Sequence, residues 1–443
     1  MTDFIRARNT REALWAFDPF AIIKIDDPRF VDFERVLPLE HYGVSTTLHE
    51  YLVNMPQRPK YVHLGVMGHQ GTGKSTLVRK AMADLAKEGI MAIFVDAMEA
   101  LDQGDFGFAD VMLVIARAII ECLADQQIAV DPNVVKSIYD WFAEELLIEE
   151  HKRQIIGSIE SSAEGSLELP FLAKFTSKIA GALRSDNEYR QEIRQRANRD
   201  IRALVRRVNQ LLEGAHDALR ARKQQLCVVL DNLEKIEKRN LVEVAVLQRT
   251  EEIRQLHCHV VLFLNPADEY SPGSTQASKA FPLISVPVLP VRYDPQEDGA
   301  QVRPEALKAV EWLLDRRVDL SAVFADPAAS IEMLARYSGG HIRDILHLAR
   351  RASQSARSGK IELTHIEKAA RWLATSRTTL MKPEDWPRSV QIHRARKVQN
   401  RPEDARLLLH SCVLNYDGEP WWDVHPLVRA DPQFTEAAKQ IDE

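Results

Sequence analysis

One stretch constrains this chain more than any other: Gly68-His69-Gln70-Gly71-Thr72-Gly73-Lys74-Ser75. It fits the phosphate-binding pattern Gly-x-x-x-x-Gly-Lys-Ser/Thr, and its flanks are those the pattern needs. Tyr61 to Met67 alternates apolar residues as a strand would, and Thr76 to Leu85 has helical spacing. The glycines let the backbone curl until its N–H groups face a β-phosphate, and the following helix adds the positive end of its dipole. Lys74 then reaches the β- and γ-phosphates, and the Ser75 hydroxyl is placed to ligate Mg²⁺. The sequence therefore predicts a nucleotide cradle made of Gly68, His69, Gln70, Gly71, Thr72, Gly73, Lys74, Ser75 and Thr76.

The rest of the chain reads outward from this loop. A second apolar run, Met91 to Val95, ends at Asp96, so a βαβ unit and a mainly parallel sheet are expected. Further strands are read at Leu226 to Asp231, Val260 to Asn265 and Leu283 to Val286. Between the second and third strands, residues 105–225 read as a helical insertion: Asp110 to Leu123, Asp131 to Ile148, Leu169 to Leu183, then one long helix. That helix carries Ile193, Ala197, Ile201, Leu204 and Val208 on one face and Arg194, Arg199, Arg202 and Arg206 on the other. The plain reading of the arginines is a solvated face, with a neighbouring subunit or a nucleic-acid backbone as the functional alternative. Beyond about Pro295 only helices follow, Pro304 to Arg317, Pro327 to Tyr337, Ile342 to Ala356 and Leu363 to Ala374, before a tail with a hairpin signal at Tyr416 to Trp422. A chain of 443 residues is too long for one compact core. The expected division is an arm (1–60), an α/β core (61–295), a helical lid (296–378) and a tail (379–443).

Asp231 closes a buried apolar strand, a costly place for a charge unless it meets a cation. The Mg²⁺ held by Ser75 supplies that cation, so Asp231 is read as the Walker B carboxylate, holding the Mg²⁺ water shell opposite Ser75. Hydrolysis also needs a group to orient the attacking water. Asn232 follows Asp231, so the candidate base is Glu234, three residues on, its alternative being an exposed turn residue. Asn265 is placed to donate to the γ-phosphate or its water, or else simply forms a turn before Pro266. Asn265-Pro266-Ala267-Asp268 lacks the lysine of the guanine-reading pattern Asn-Lys-x-Asp, which favours ATP over GTP. Gly339-Gly340-His341-Ile342-Arg343-Asp344 opens a helix with Arg343 in its first turn, unfavourable to the dipole and suited to facing a phosphate. His257-Cys258-His259 has no second ligand pair at zinc spacing, so a structural role is expected. The four cysteines are scattered, as in a reduced intracellular protein. No signal-peptide core opens the chain, and Val111 to Ile120 is interrupted by Arg117 and too short to span a bilayer, so a soluble cytoplasmic protein is expected. The net charge of -6 gives no bulk pull toward DNA.

Phosphate loop, Asp-ended strand, Asn-ended strand and a lid with Gly-Gly-x-x-Arg-Asp together resemble AAA+ ATPases, nearest the origin-recognition-like and STAND signalling branches. Leu313-Leu314-Asp315-Arg316-Arg317-Val318 and Ile361-Glu362-Leu363-Thr364-His365-Ile366 resemble the lid of the same family. The resemblance covers roughly residues 45–375. It implies a P-loop NTPase parallel sheet of about five strands, a helical lid and a small winged-helix-like module at the C-terminus. It makes Asn265 the sensor-1 residue and Arg343 the sensor-2 arginine. Asn232 departs from the family's glutamate, and the Asp-x-x-acid spacing of Asp231 and Glu234 is similar to STAND and KAP ATPases instead. Arg292 and Arg249 are the candidates for an arginine finger.

The activity so implied is a slow ATPase using ATP and Mg²⁺, acting as a switch that forms a homo-oligomer or gates a separate effector. Such ATPases resemble those of prokaryotic mobile-element and antiphage defence operons. The rival expectation is a DNA-binding loader or a transposition or replication regulator, using the tail and the basic run His393-Arg394-Ala395-Arg396-Lys397. A third is a nucleotide-locked scaffold without turnover.

Overall fold

The computed structural model describes residues 5–37, 43–54, 60–160, 169–185, 187–270, 276–291, 302–416 and 421–442. Five strands form one sheet: β1 (His63–Met67), β2 (Ile90–Asp96), β3 (Gln225–Asp231), β4 (His259–Leu264) and β5 (Leu283–Ser285). They run in the order β2-β3-β4-β1-β5, and every neighbouring pair is parallel. The strands are nearly continuous apolar runs because both faces of the sheet are covered. Val228, Leu230, Val260 and Leu262 project into one layer, and Cys227, Val229, Val261 and Phe263 into the other. Since β4 lies between β1 and β3, Gly68, Asp231 and Asn265 emerge side by side at the carboxyl edge, where open α/β sheets bind their ligands.

The phosphate-loop helix Lys74–Leu85 covers one face together with the lid and the arm. The other face is covered by Phe108–Asp125 and Ile201–Leu219, which belong to the insertion. The insertion is more than an added surface. Two of its helices are the layer without which Val228 and Val260 would face water. The single long helix expected here is two, Asn187–Arg199 and Ile201–Leu219. Asp200 breaks it by capping the second, its Oδ1 accepting from Ala203 N at 2.8 Å. Arg194 is not on a solvated face either, since it reaches Asp105 and Asp110 at 2.8 and 2.6 Å. The helix expected over Asp131 to Ile148 is Pro132–Trp141 continued by a π-turn, Phe142–Leu146.

The lid consists of Pro304–Asp315, Pro327–Ser338, Ile342–Ala356 and Leu363–Thr378. The arm straps this lid to the core. Its helix Thr10–Ala16 packs on Ile342–Ala356, Ala7 bridges to Val318 beside the lid, and Asp32 and Glu34 meet Lys80 of the phosphate-loop helix at 3.3 and 2.8 Å. The C-terminal unit holds helices Asp385–Ala395, Pro402–Leu409 and Pro432–Asp442 around an antiparallel hairpin, β6 (Val413–Asn415) and β7 (Trp422–Val424). The basic run in this unit is largely committed to internal pairs: His393 and Arg396 meet Asp423 at 2.7 and 2.5 Å, and Arg394 meets Asp442 at 2.9 Å. Among the described residues no helix is long and apolar enough to cross a membrane. Arg292 and the turn between β6 and β7 lie outside the described residues.

Candidate functional site

In the phosphate loop, Gly71 and Gly73 adopt φ of 91° and 89°. A Cβ on Gly71 would fall 2.6 Å from the Cβ of Arg343, so glycine is what lets the lid approach. Lys74 is buried, and its Nζ donates to the carbonyls of Gly68 and His69 at 2.8 Å each while lying 3.4 Å from Glu234 Oε1. Burial lowers its pKa, and the Glu234 charge opposes that shift.

Asp231 accepts from the Ser75 hydroxyl at 2.8 Å and from Arg79 at 3.3 Å. Burial pushes its carboxyl pKa up, against the pull of the Ser75 hydrogen bond. A buried carboxylate beside a serine hydroxyl, at the start of the phosphate-loop helix, is a hard-oxygen donor set that suits Mg²⁺. Asn232 takes the left-handed conformation, φ 65°, and its amide donates to Asp96 at 2.6 Å, so it faces β2 along the sheet edge. That left-handed residue turns the chain into the 3₁₀ turn Leu233–Lys235 and swings Glu234 back over Lys74. Glu234 is 4% exposed, not the exposed turn residue the sequence left open, and its Oε2 is buried with no hydrogen-bond partner among the described residues. A buried acceptor left unpaired costs about 1–3 kcal/mol, which a water or a substrate group would recover.

Asn265 lies close by but its amide is not free. Its Oδ1 accepts from Ala267 N at 2.9 Å, and its Nδ2 faces the Glu234 carbonyl at 3.5 Å, so it supports the turn that carries the acid. Arg343 meets the loop from the lid, its backbone N–H donating to the Gly71 carbonyl at 3.2 Å, while His341 donates to the Gln70 carbonyl at 2.8 Å. Its guanidinium lies over the Phe20 ring at 5.6 Å, and its Nε is buried without a hydrogen-bond partner among the described residues. Lys74, Asp231, Glu234, Asn265 and Arg343 are therefore gathered at one end of the sheet. Arg249 is not among them; it pairs with Glu252 at 3.2 Å on the helix that follows.

Sequence reasoning missed two parts of the surroundings. The arm lines the same cleft, with Phe20, Ile23 and Val31 opposite Leu313 and Leu346 of the lid. A signal was present, because two Asp-Pro turns bracket the apolar run Phe20-Ala21-Ile22-Ile23. The second part is the C-terminal hairpin, seated behind the loop. His69 is fully buried, its ring edge-on to Trp422 with centroids 6.2 Å apart and its Nδ1 3.4 Å from the Ser411 hydroxyl. Asp344 joins this hairpin to the lid, accepting from Arg377 at 2.8 and 2.6 Å and from His425 at 3.0 Å. Burial alone would raise the Asp344 carboxyl, but the Arg377 charge outweighs it and holds the group well below the usual carboxylate range.

Burial pushes His425 and His63 each down to about 4, so both stay neutral in the folded chain where an unfolded histidine would protonate near 6.5. Stability from these groups is complete above pH 6.5 and is lost as pH falls toward 4, by about 1.4 kcal/mol per pH unit for each histidine. Urea midpoints measured from pH 7 to 4.5 should fall accordingly, and a flat profile would contradict the neutral, buried state of both rings.

The geometry agrees with what sequence comparison finds. Residues 42–257 match the profile of the KAP family P-loop domain. The core of this chain has the P-loop NTPase fold. The matched segment holds the phosphate loop, Asp231 and Glu234, whereas β4, the lid and the C-terminal unit lie beyond it. No curated protein sequence matches the chain. Among solved structures it is similar to the Walker-type ATPase of Pyrococcus abyssi, at 13% identity and a TM-score of 0.44, over 96% of this chain and 99% of that one. It is also similar to Cdc6p of Pyrobaculum aerophilum, at 12% identity and 0.39, over 96% and 98% of the two chains. A third likeness is to the Aeropyrum pernix Orc1 protein in complex with DNA, at 13% and 0.37, over 96% of both. At these scores the structural likenesses carry no weight for residues or partners.

Proposed function

We propose that this chain is an ATP-driven switch whose nucleotide lies between the NTPase core and the lid. The observation that carries this reading is the convergence on one cleft of Lys74, the unpaired oxygen of Glu234 and the unpaired Nε of Arg343. The phosphates lie in the curl of Gly68–Ser75, where Lys74 exchanges its two carbonyl contacts for phosphate oxygens. Ser75 and Asp231 would hold Mg²⁺, which when bound would supply positive charge toward the phosphoryl oxygens. Glu234 orients the attacking water through Oε2, Asn265 steadies the Glu234 turn, and Arg343 senses the γ-phosphate. Phe20 of the arm and Leu346 of the lid, both lining this cleft, would supply apolar contact to the nucleotide base.

The lid and the C-terminal unit move together because Asp344 ties them. A second copy of the chain or a separate effector then reads their position, in a setting such as antiphage defence. The internal pairing of His393, Arg394 and Arg396 gives the DNA-loader alternative no support.

Arg343→Ala tests the reading. A charge-assisted hydrogen bond to a γ-phosphate supports roughly 10-fold preference for ATP over ADP. Calorimetry should show that preference shrink in the variant with ADP affinity kept. Equal ATP preference in variant and wild type would remove Arg343 as the sensor.

A further inference from the structure

Arg79 lies on the phosphate-loop helix four residues after Ser75. Helical side chains lean toward the N-terminus of their helix, so its guanidinium comes to rest beside the Ser75 hydroxyl. Ser75 donates to Asp231 Oδ1 at 2.8 Å and Arg79 to Oδ2 at 3.3 Å, so one helix holds both oxygens of the carboxylate. Phe94, two residues before Asp96 on β2, stacks under the guanidinium with Cζ 4.2 Å from the ring centroid. The Asp231 side chain is 4% exposed, whereas that of Arg79 is 36% exposed and lines the nucleotide cleft. The carboxylate is fixed, and the guanidinium has room to leave. A buried carboxylate requires a counter-charge. Arg79 is the cation paired with it directly, with Lys235 and Lys74 acting from further off.

We propose that Arg79 is an internal stand-in for the metal. It neutralises Asp231 while Mg²⁺ is away, and Mg²⁺ must displace it from Oδ2 before Asp231 can hold the ion. The proposal rests on the nucleotide reading above and adds a positioning residue to it. The metal requirement is therefore set higher than the oxygen donors alone would set it.

The test is a Mg²⁺ titration of ATP binding, followed by calorimetry, on wild type, Arg79→Met and Arg79→Lys. Methionine keeps a flexible apolar stem against Phe94 and removes the charge, whereas lysine keeps the charge. Half-saturating Mg²⁺ should fall about three- to tenfold in Arg79→Met, as expected for losing a partly exposed opposing charge, and stay near wild type in Arg79→Lys. ATP affinity in EDTA should be the same in all three. An unchanged or higher Mg²⁺ requirement in Arg79→Met overturns the proposal. Equal shifts in both variants overturn it too, because they would make Arg79 a packing residue. Weaker ATP binding in EDTA confined to Arg79→Met would instead put the guanidinium on a phosphate. If wild type binds no ATP with or without Mg²⁺, the nucleotide reading itself fails and this proposal falls with it.

Discussion

Glu234→Gln will lower ATP turnover by about 10²–10⁴-fold, the range for a positioned general base, while ATP remains bound. The argument starts from the backbone. Asn232 is left-handed and hydrogen-bonded to Asp96, so the residue directly after Asp231 faces β2. The acid three residues on is brought back by the turn until its Oε1 is 3.4 Å from Lys74 and its Oε2 stands unpaired. Glutamine keeps the volume and the contact with Lys74 but cannot take a proton. Single-turnover measurement with bound ATP separates this from a binding defect. Normal turnover in the variant would move the base elsewhere, and absence of turnover in wild type with ATP retained would favour a nucleotide-locked scaffold.

Asp344→Ala will cost about 3–5 kcal/mol of stability, as expected when a buried ion pair loses one partner. Asp344 is 1% exposed and neutralises Arg377, whose side chain is 14% exposed, while also accepting from His425. Removing it leaves a guanidinium and an imidazole facing each other inside the seam between lid and hairpin. The double variant Asp344→Leu/Arg377→Leu should recover most of the loss, because an apolar pair of similar volume often replaces a buried ion pair at little cost. Urea unfolding of the two variants and wild type checks both values. A loss under about 1 kcal/mol in Asp344→Ala, the size of an exposed pair, would mean the seam is wet.

The strands were legible because each is an apolar run closed by a polar residue where the chain leaves the sheet. β2 was read at Met91 to Val95 and spans Ile90–Asp96; β3 was read at Leu226 to Asp231 and begins one residue earlier. The phosphate loop was legible for a different reason, since its chemistry lies in consecutive residues. What escaped was set by contacts distant in sequence. His69 reads as a free position of the motif, yet Ser411 and Trp422 enclose it. Arg79 reads as one more charge on an amphipathic helix, and only the packing of β2 and β3 brings Phe94 and Asp231 to it. What the insertion covers was not legible, because apolar helices look alike whether they cover the sheet or one another. Asp200 shows the reverse case: a capping residue was visible, but the unbroken apolar stripe across it suggested continuity.

The arm has a kinetic consequence. The lid is anchored on the loop by Arg343 and His341, through polar contacts to the Gly71 and Gln70 carbonyls. The segment roofing the cleft is held far more lightly, with Phe20 65% and Ile22 79% exposed. Peeling those few residues away uncovers little apolar surface, whereas lifting the lid breaks its hydrogen bonds to the Gly71 and Gln70 carbonyls. A nucleotide seated as proposed would leave through the side, with the lid still shut. How long it stays would then be set by the flapping of a strap, and spent nucleotide would be exchanged without disassembling the switch.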